Sequence, residues 1–236
     1  MGYLILGSGG LGMALAHELA SRGEEWLLAG RQLPRGLDPA CYFPLQEVDS
    51  LAFDALFTLY EQARLPSVVI NTIGLLHDLN HLPERRVEEV DPAWLCESLQ
   101  VNAWPHLALG ACLSRLMAPD ARLWLCSVSD LAGSIGDAAS QGVPGRYSYR
   151  MSKAALNMGS CLLAREWAQR FPGAGVITVH PGPMDTPLQQ PFHHELDIAS
   201  LPAPAQVAPR LLNLIETLTP AHSGQFLDLA GRPLPW

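Results

Sequence analysis

The sequence predicts an α/β fold: a mostly parallel sheet with helices on both faces, in one domain spanning residues 1–236. Three observations predict it. Apolar runs of strand length alternate with stretches of helical period through all 236 residues. The strongest run, Val68-Val69-Ile70, is continuous rather than alternating, as in a strand covered on both faces. A turn rich in glycine, Gly7 to Gly12, separates the first apolar run from the first helical one.

The elements follow in order. Tyr3 to Leu6 reads as a buried strand, and Leu11 to Ser21 as a helix closing near Gly23. Trp26 to Ala29 is the next strand. Residues 31–40, rich in Pro, Gly and Arg, read as a loop. A weak strand at Cys41 to Leu45 and a helix from Ala52 to Gln62 precede the strand Ser67 to Thr72. Asp91-Pro92 starts a helix, with Asp as N-cap and Pro at the first helical position. It runs to about Met117 with a break before Pro105. Arg122 to Cys126 is a strand, 130–146 a long loop, and Tyr147 to Arg170 a long amphipathic helix. Gly175 to His180 is a strand, 183–204 a proline-rich stretch without period, Pro204 to Leu218 a helix, and Gly224 to Leu229 the last strand.

Composition narrows the function. With 48% apolar and 16% charged residues the chain buries a sizeable core and is not a disordered linker. A formal charge of −8 without clustered Lys and Arg argues against nucleic acid and against an anionic membrane. No apolar stretch is long enough to span a bilayer, and no secretion signal opens the chain. The five cysteines are scattered, with no C-x-x-C pair, which fits core residues in a reduced cytoplasm. No metal site is expected: His193-His194-Glu195 matches no recognised ligand set.

Gly7-Ser8-Gly9-Gly10-Leu11-Gly12 matches G-x-G-x-x-G between a strand and a helix. A chain that turns sharply, brings its backbone to a pyrophosphate and aims helix N–H groups at that anion needs missing side chains at these points. The pattern predicts a dinucleotide in a Rossmann-like, doubly wound sheet. An acid at the end of the second strand would bind the ribose hydroxyls of NAD(H). Here that strand ends Ala29-Gly30-Arg31. A guanidinium suits a 2′-phosphate, so NADP(H) is preferred, with NAD(H) possible.

Tyr149 and Lys153 stand four apart on the long helix and so share one face. In this setting the chain resembles the short-chain dehydrogenase/reductase family over nearly its full length. Asn71-Thr72-Ile73-Gly74 resembles the family's N-x-x-G segment beside the adenosine. Val101-Asn102-Ala103 resembles the helix supplying its structural and catalytic Asn, and Ser127-Val128-Ser129 the stretch holding its catalytic Ser. Pro181-Gly182 with Thr186 resembles the segment that contacts the nicotinamide amide. The runs Tyr147 to Asn157 and Gly224 to Trp236 look closest to a C-factor-like subgroup.

The resemblance implies an NADP(H)-dependent carbonyl reductase or alcohol dehydrogenase acting on a small molecule, in a homodimer or homotetramer built on the helices near 101–117 and 147–170. It implies Tyr149 as acid/base, Lys153 lowering the Tyr pKa and holding the nicotinamide ribose, a Ser donating to the substrate oxygen, and Asn102 holding a water. A substrate lid is expected at about 184–203, and the residues of 134–146 and 184–203 hint at an apolar substrate. His180 is expected to shape its turn, and Asp49 to lie near the adenine.

The chain departs from the family pattern in three places. The glycine loop is one residue shorter, with Leu6 where Thr is common. Counting back from Gly133 puts Asp130, not Ser, at the catalytic Ser position; Ser129 is the nearest hydroxyl and Ser127 the alternative. The Ser-to-Tyr interval is long, with an insertion in 134–146. These departures keep open a second function, a non-enzymatic or weakly catalytic dinucleotide-binding protein in signalling or sensing.

Overall fold

The computed structural model describes residues 2–60, 65–141, 144–192 and 200–236. Seven strands form one sheet: β1 (Gly2–Leu6), β2 (Glu25–Gly30), β3 (Tyr42–Pro44), β4 (Val68–Asn71), β5 (Trp124–Val128), β6 (Gly175–His180) and β7 (Phe226–Asp228). Their order is β3-β2-β1-β4-β5-β6-β7 and every pairing is parallel. The chain winds outward from β1 in one direction and then from β4 in the other. The order therefore reverses between β1 and β4, and the crevice at their carboxyl ends is where such sheets take ligands.

The helices are α1 (Gly10–Ser21), α2 (Ser50–Thr58), α3 (Pro92–Asn102), α4 (Trp104–Leu116), α5 (Ile135–Gln141), α6 (Tyr147–Arg170) and α7 (Pro204–Glu216). Alternate side chains of each strand point to opposite faces and build two cores. Leu4 and Leu6 of β1 join Phe53, Leu56, Leu109 and Trp167 under α2, α4 and α6. Tyr3 and Ile5 join Leu15, Leu19, Val207 and Leu211 under α1 and α7. Trp167 is fully buried and its indole N–H donates to Ser114 Oγ at 2.8 Å, so its one polar atom is satisfied.

Three elements differ from the sequence expectation. Strand β5 lies two residues later, at Trp124–Val128, because its pairing with β6 carries through Ser127 and Val128. Ser127 tolerates burial there because its hydroxyl meets His106 Nδ1 at 2.8 Å and Asn71 Nδ2 at 3.4 Å. Burial also pushes the His106 pKa down to about 4, which keeps that ring neutral. The stretch 130–146 is not all loop: it holds α5, whose start is fixed by Ser134 Oγ accepting from Asp137 N at 2.9 Å. The helix expected over Ala52 to Gln62 starts two residues earlier, at Ser50, capped by Asp49 accepting from Ala52 N, and ends at Thr58. Residues 61–64 lie outside the described residues.

The long helical stretch 92–117 divides at Ala103, where φ −109 and ψ −45 turn the chain before Pro105. The division places Asn102 at the last position of α3, facing the loop after β4. No helix among the described residues is long and apolar enough to cross a membrane.

Candidate active site

The carboxyl ends of β1, β4, β5 and β6 and the first turns of α6 converge on one site. At β1 the chain turns at Gly7, whose φ of +99° belongs to glycine. Gly12 then packs so closely that a Cβ there would lie 1.8 Å from the Gly7 carbonyl oxygen. Gly9 is the N-cap of α1 with no side chain to bond the first helix amides, and a Cβ on Gly9 would meet nothing within 4 Å. The loop therefore presents backbone N–H groups and the positive end of α1 to open space, which suits a pyrophosphate. Thr186 closes one side, its methyl 3.3 Å from where a Gly10 Cβ would be. Its segment leaves β6 through Pro181 and through Gly182 at φ +79°.

Ser8 backs onto the end of β2, since a Cβ on Gly30 would lie 2.6 Å from Ser8 Oγ. Arg31, the next residue, is exposed beside the loop, its carbonyl accepting from Gln46 Nε2 at 2.8 Å. These groups fit a dinucleotide, and Arg31 stands where its adenosine end would emerge. Asp49, expected near the adenine, is exposed and caps α2 through Oδ1.

Asn71 and Asn102 act on the loop after β4. Asn71 is buried, and its Oδ1 accepts from Ile73 N at 3.1 Å, so its side chain shapes the turn that presents Gly74. Asn102 grips Leu75 from both sides, accepting its N–H and donating to its C=O, each at 2.7 Å. Its amide also donates to Ser152 Oγ at 2.8 Å, which ties α3 to α6. Gly74 lies over this group: a Cβ there would sit 3.7 Å from Asn102 Oδ1 and 3.8 Å from Lys153 Nζ.

Tyr149 and Lys153 are both buried, 5% and 3% exposed, with the Lys153 ammonium 5.7 Å from the centre of the Tyr149 ring. Lys153 donates to the Val128 carbonyl at 3.0 Å. Burial pulls its pKa down to about 8, and the charge of Asp130 works against that fall. The turn 131–133 lies against α6 so tightly that a Cβ on Gly133 would come within 2.7 Å of Lys153 Cβ.

The serines do not stand where the resemblance implies. Ser129 Oγ is buried and donates to Asn157 Oδ1 at 2.7 Å. Ser127 is fully buried and engaged with His106 and Asn71. The group facing Tyr149 is Asp130, whose Oδ2 accepts from the Tyr hydroxyl at 3.0 Å. Burial first, then the charge of Asp130 and this hydrogen bond, hold the Tyr149 pKa well above its ordinary value. That is the reverse of what the family's Tyr–Lys chemistry implies. The count back from Gly133 had marked Asp130; only its chemistry favoured the neighbouring hydroxyl.

A cavity of about 720 Å³ opens beside Asp130, between His180, Gly182 and residues from the start of α6. His180 accepts from Leu131 N at 3.2 Å through Nδ1, so it braces the Asp130 turn. The lining is mixed: Arg85, Arg146 and Arg150 stand with Glu84, Asp130 and Asp137 among apolar groups such as Leu82, Leu131 and Pro183. Glu84, which has no sequence signal, is buried and accepts from the Ser148 amide at 3.2 Å at the start of α6. Of the expected lid, 184–192 and 200–203 are described, and Gln189 and Pro191 reach the cavity. His193, His194 and Glu195 lie outside the described residues. Among the described residues no group of three or more His, Cys, Asp or Glu is placed to hold a metal.

No family model matches the chain. Over 151 residues it is 34% identical to the C-signal protein of Myxococcus xanthus, covering 63% of this chain and 82% of that one. It is 28% identical over 235 residues to the 1-hydroxy-2-glutathionyl-2-methyl-3-butene dehydrogenase of Rhodococcus sp. strain AD45, covering 96% and 95%. Among solved structures, the NADPH-bound carbonyl reductase from chicken fatty liver superposes with a TM-score of 0.79 at 17% identity, over 99% of this chain and 98% of that one.

The glycine cradle can be tested without turnover. Gly9→Ala adds a methyl to open space and leaves the unfolding free energy within about 0.5 kcal/mol, yet weakens dinucleotide binding at least about 10-fold. Gly12→Ala forces two backbone segments apart and costs about 1–3 kcal/mol or more of stability. Equal stability of the two variants in thermal unfolding would contradict this account of the loop.

Proposed function

The chain belongs to the short-chain dehydrogenase/reductase family, and from that premise we propose that it is an NADP(H)-dependent oxidoreductase of small alcohols and carbonyls. The observation that carries the reading is the burial of Tyr149 and Lys153 together, beside an open cavity and next to a glycine cradle. Bound dinucleotide supplies or accepts hydride at the substrate carbon. The chain's own residues do the rest. The loop Gly7 to Gly12 holds the pyrophosphate through backbone N–H groups, and Thr186 and the Pro181-Gly182 backbone face the nicotinamide end. Lys153 holds the nicotinamide ribose, with Asn102 and Gly74 beside it. Tyr149 exchanges the proton of the substrate oxygen.

Arg31 selects the cofactor by pairing with the 2′-phosphate of NADP(H). The mixed lining of the cavity favours a substrate that joins an apolar body to polar substituents able to meet its charged groups. The segment around 184–203 serves as the lid. Both the NADPH-bound carbonyl reductase and the Rhodococcus dehydrogenase support this reading.

One observation favours a second reading, a dinucleotide-binding protein with little catalysis. It is the carboxylate of Asp130 where the family places a hydroxyl donor, beside a Tyr whose pKa is raised. The likeness to a protein named C-signal points the same way.

Titration with NADPH and NADH, read by energy transfer from tryptophan to nicotinamide, tests the cofactor. NADPH binds more tightly, and Arg31→Asp lowers its affinity about 10- to 100-fold while leaving NADH unchanged. Loss of both cofactors alike would remove Arg31 as the selector.

The exposed apolar residues Trp104 and Leu107 of α4 with Met158 and Leu162 of α6 support a homodimer or homotetramer built on these helices. Sedimentation velocity gives a dimer or tetramer mass, and Leu162→Glu lowers it. A wild-type monomer at micromolar concentration would count against the interface.

A further inference from the structure

Resting on the oxidoreductase reading, we infer that Asp130 is the terminal proton acceptor of this site and that the site is built to oxidise alcohols. The substrate hydroxyl gives its proton to Tyr149 Oη while the proton of Tyr149 passes to Asp130 Oδ2.

The geometry is complete on the protein side. The Tyr149 hydroxyl already donates to Asp130 Oδ2 at 3.0 Å. The other carboxylate oxygen, Oδ1, is fixed by the Ala132 N–H at 2.8 Å. His180, bonded to Leu131 N, holds the same turn from β6. Asp130 therefore cannot swing away without breaking the 131–133 turn, and it lines the cavity, which gives its proton a route to solvent. Both hydroxyls available in its place are committed elsewhere, Ser129 to Asn157 and Ser127 to His106.

The charge decides the direction. Both directions pass through one transition state, so what separates them is the protonation each needs at the start: carbonyl reduction needs a proton already on Asp130, alcohol oxidation its free carboxylate. In alcohol oxidation the oxygen sheds a proton, and a carboxylate one hydrogen bond beyond the phenol draws that proton off. The relay also avoids a free phenolate, which the raised pKa of Tyr149 makes costly. The balance is simple. The O–H and C–H bonds of the alcohol break, the C=O bond forms, and the hydride with its electron pair goes to the oxidised nicotinamide dinucleotide. The alcohol carbon is oxidised, the dinucleotide is reduced, and the proton rests on Asp130 before leaving through the cavity.

Several charges face this pair. Lys153, Arg146 and Arg150 come from α6 and its start, His180 from β6 with Nδ1 3.8 Å from Asp130 Oδ1, and Asp137 from α5. The test therefore compares variants with each other over one pH range.

Wild type, Asp130→Asn and Asp130→Ser are assayed with NADP+ and a panel of polar secondary alcohols, and the apo proteins are titrated by tyrosinate absorbance. Near neutral pH both variants oxidise alcohol about 100-fold more slowly, with NADP+ affinity unchanged. Their rates climb with alkali, because Tyr149 must now ionise by itself, while the wild-type rate is flatter. In the apo proteins one tyrosine titrates at lower pH in Asp130→Asn than in wild type, which shows the carboxylate acting on Tyr149, and the changed pH profile of the rate separates a relay from a merely structural role. A wild-type rate matched or exceeded by either variant near neutral pH overturns the relay alone. A wild-type protein that binds NADP(H) and oxidises none of the alcohols overturns the oxidoreductase reading and the relay with it.

Discussion

Helix α6 crosses the carboxyl end of β5 at a distance that leaves no room for a Cβ on Gly133. That approach is what the site depends on. It puts the Lys153 ammonium within hydrogen-bond reach of the Val128 carbonyl and brings Tyr149 to the Asp130 turn. It is held from outside by Asn102, which clamps the Leu75 backbone and reaches Ser152 of α6. The polar groups gathered here are nearly all buried, and burial makes their mutual contacts strong while making any unpaired one expensive. The break between α3 and α4 at Ala103 has a positional purpose in this scheme: it ends α3 with Asn102 against the loop it clamps.

The same packing explains why the electrostatics depart from the resemblance. A Lys beside a Tyr favours the phenolate only if no acid competes. Here burial, and then the Asp130 carboxylate that accepts from the Tyr hydroxyl at 3.0 Å, drive Tyr149 toward its protonated form. Lys153 in turn is pulled down toward neutrality by burial, to about 8. A chain that binds the family's cofactor can thus run its proton chemistry through a different pair of atoms.

Much of the fold was legible because its signals are local and repeated. Helix α6 and strand β6 fall at the residues their periodicity marks, and the glycine turn lies between β1 and α1 as the spacing requires. Helix α5 was not legible: seven residues rich in Ala, Ser and Gly carry too little period, and only Ser134 ahead of Asp137 hints at its start. The end of β5 was misplaced because Ser127 looks like a turn residue until His106, remote in sequence, supplies its partner.

At the site, Tyr149 and Lys153 were legible through their spacing and Asn102 and Gly74 through the family resemblance, and the structure brings the four together. The orientation of Ser129 was not, because Asn157 lies two turns along α6 from Tyr149 and carries no motif. The charged cavity was hidden for a related reason. Its arginines and carboxylates come from separate segments, 84–85, 130, 137 and 146–150, each unremarkable by itself.

The central claim is that this chain is an oxidoreductase whose proton passes through Tyr149. The most direct measurement compares turnover of wild type and Tyr149→Phe on one alcohol, with NADP(H) affinity determined alongside. The account predicts that Tyr149→Phe binds the dinucleotide as wild type does and loses about 100-fold or more in kcat. Turnover that survives the loss of this one hydroxyl would contradict it.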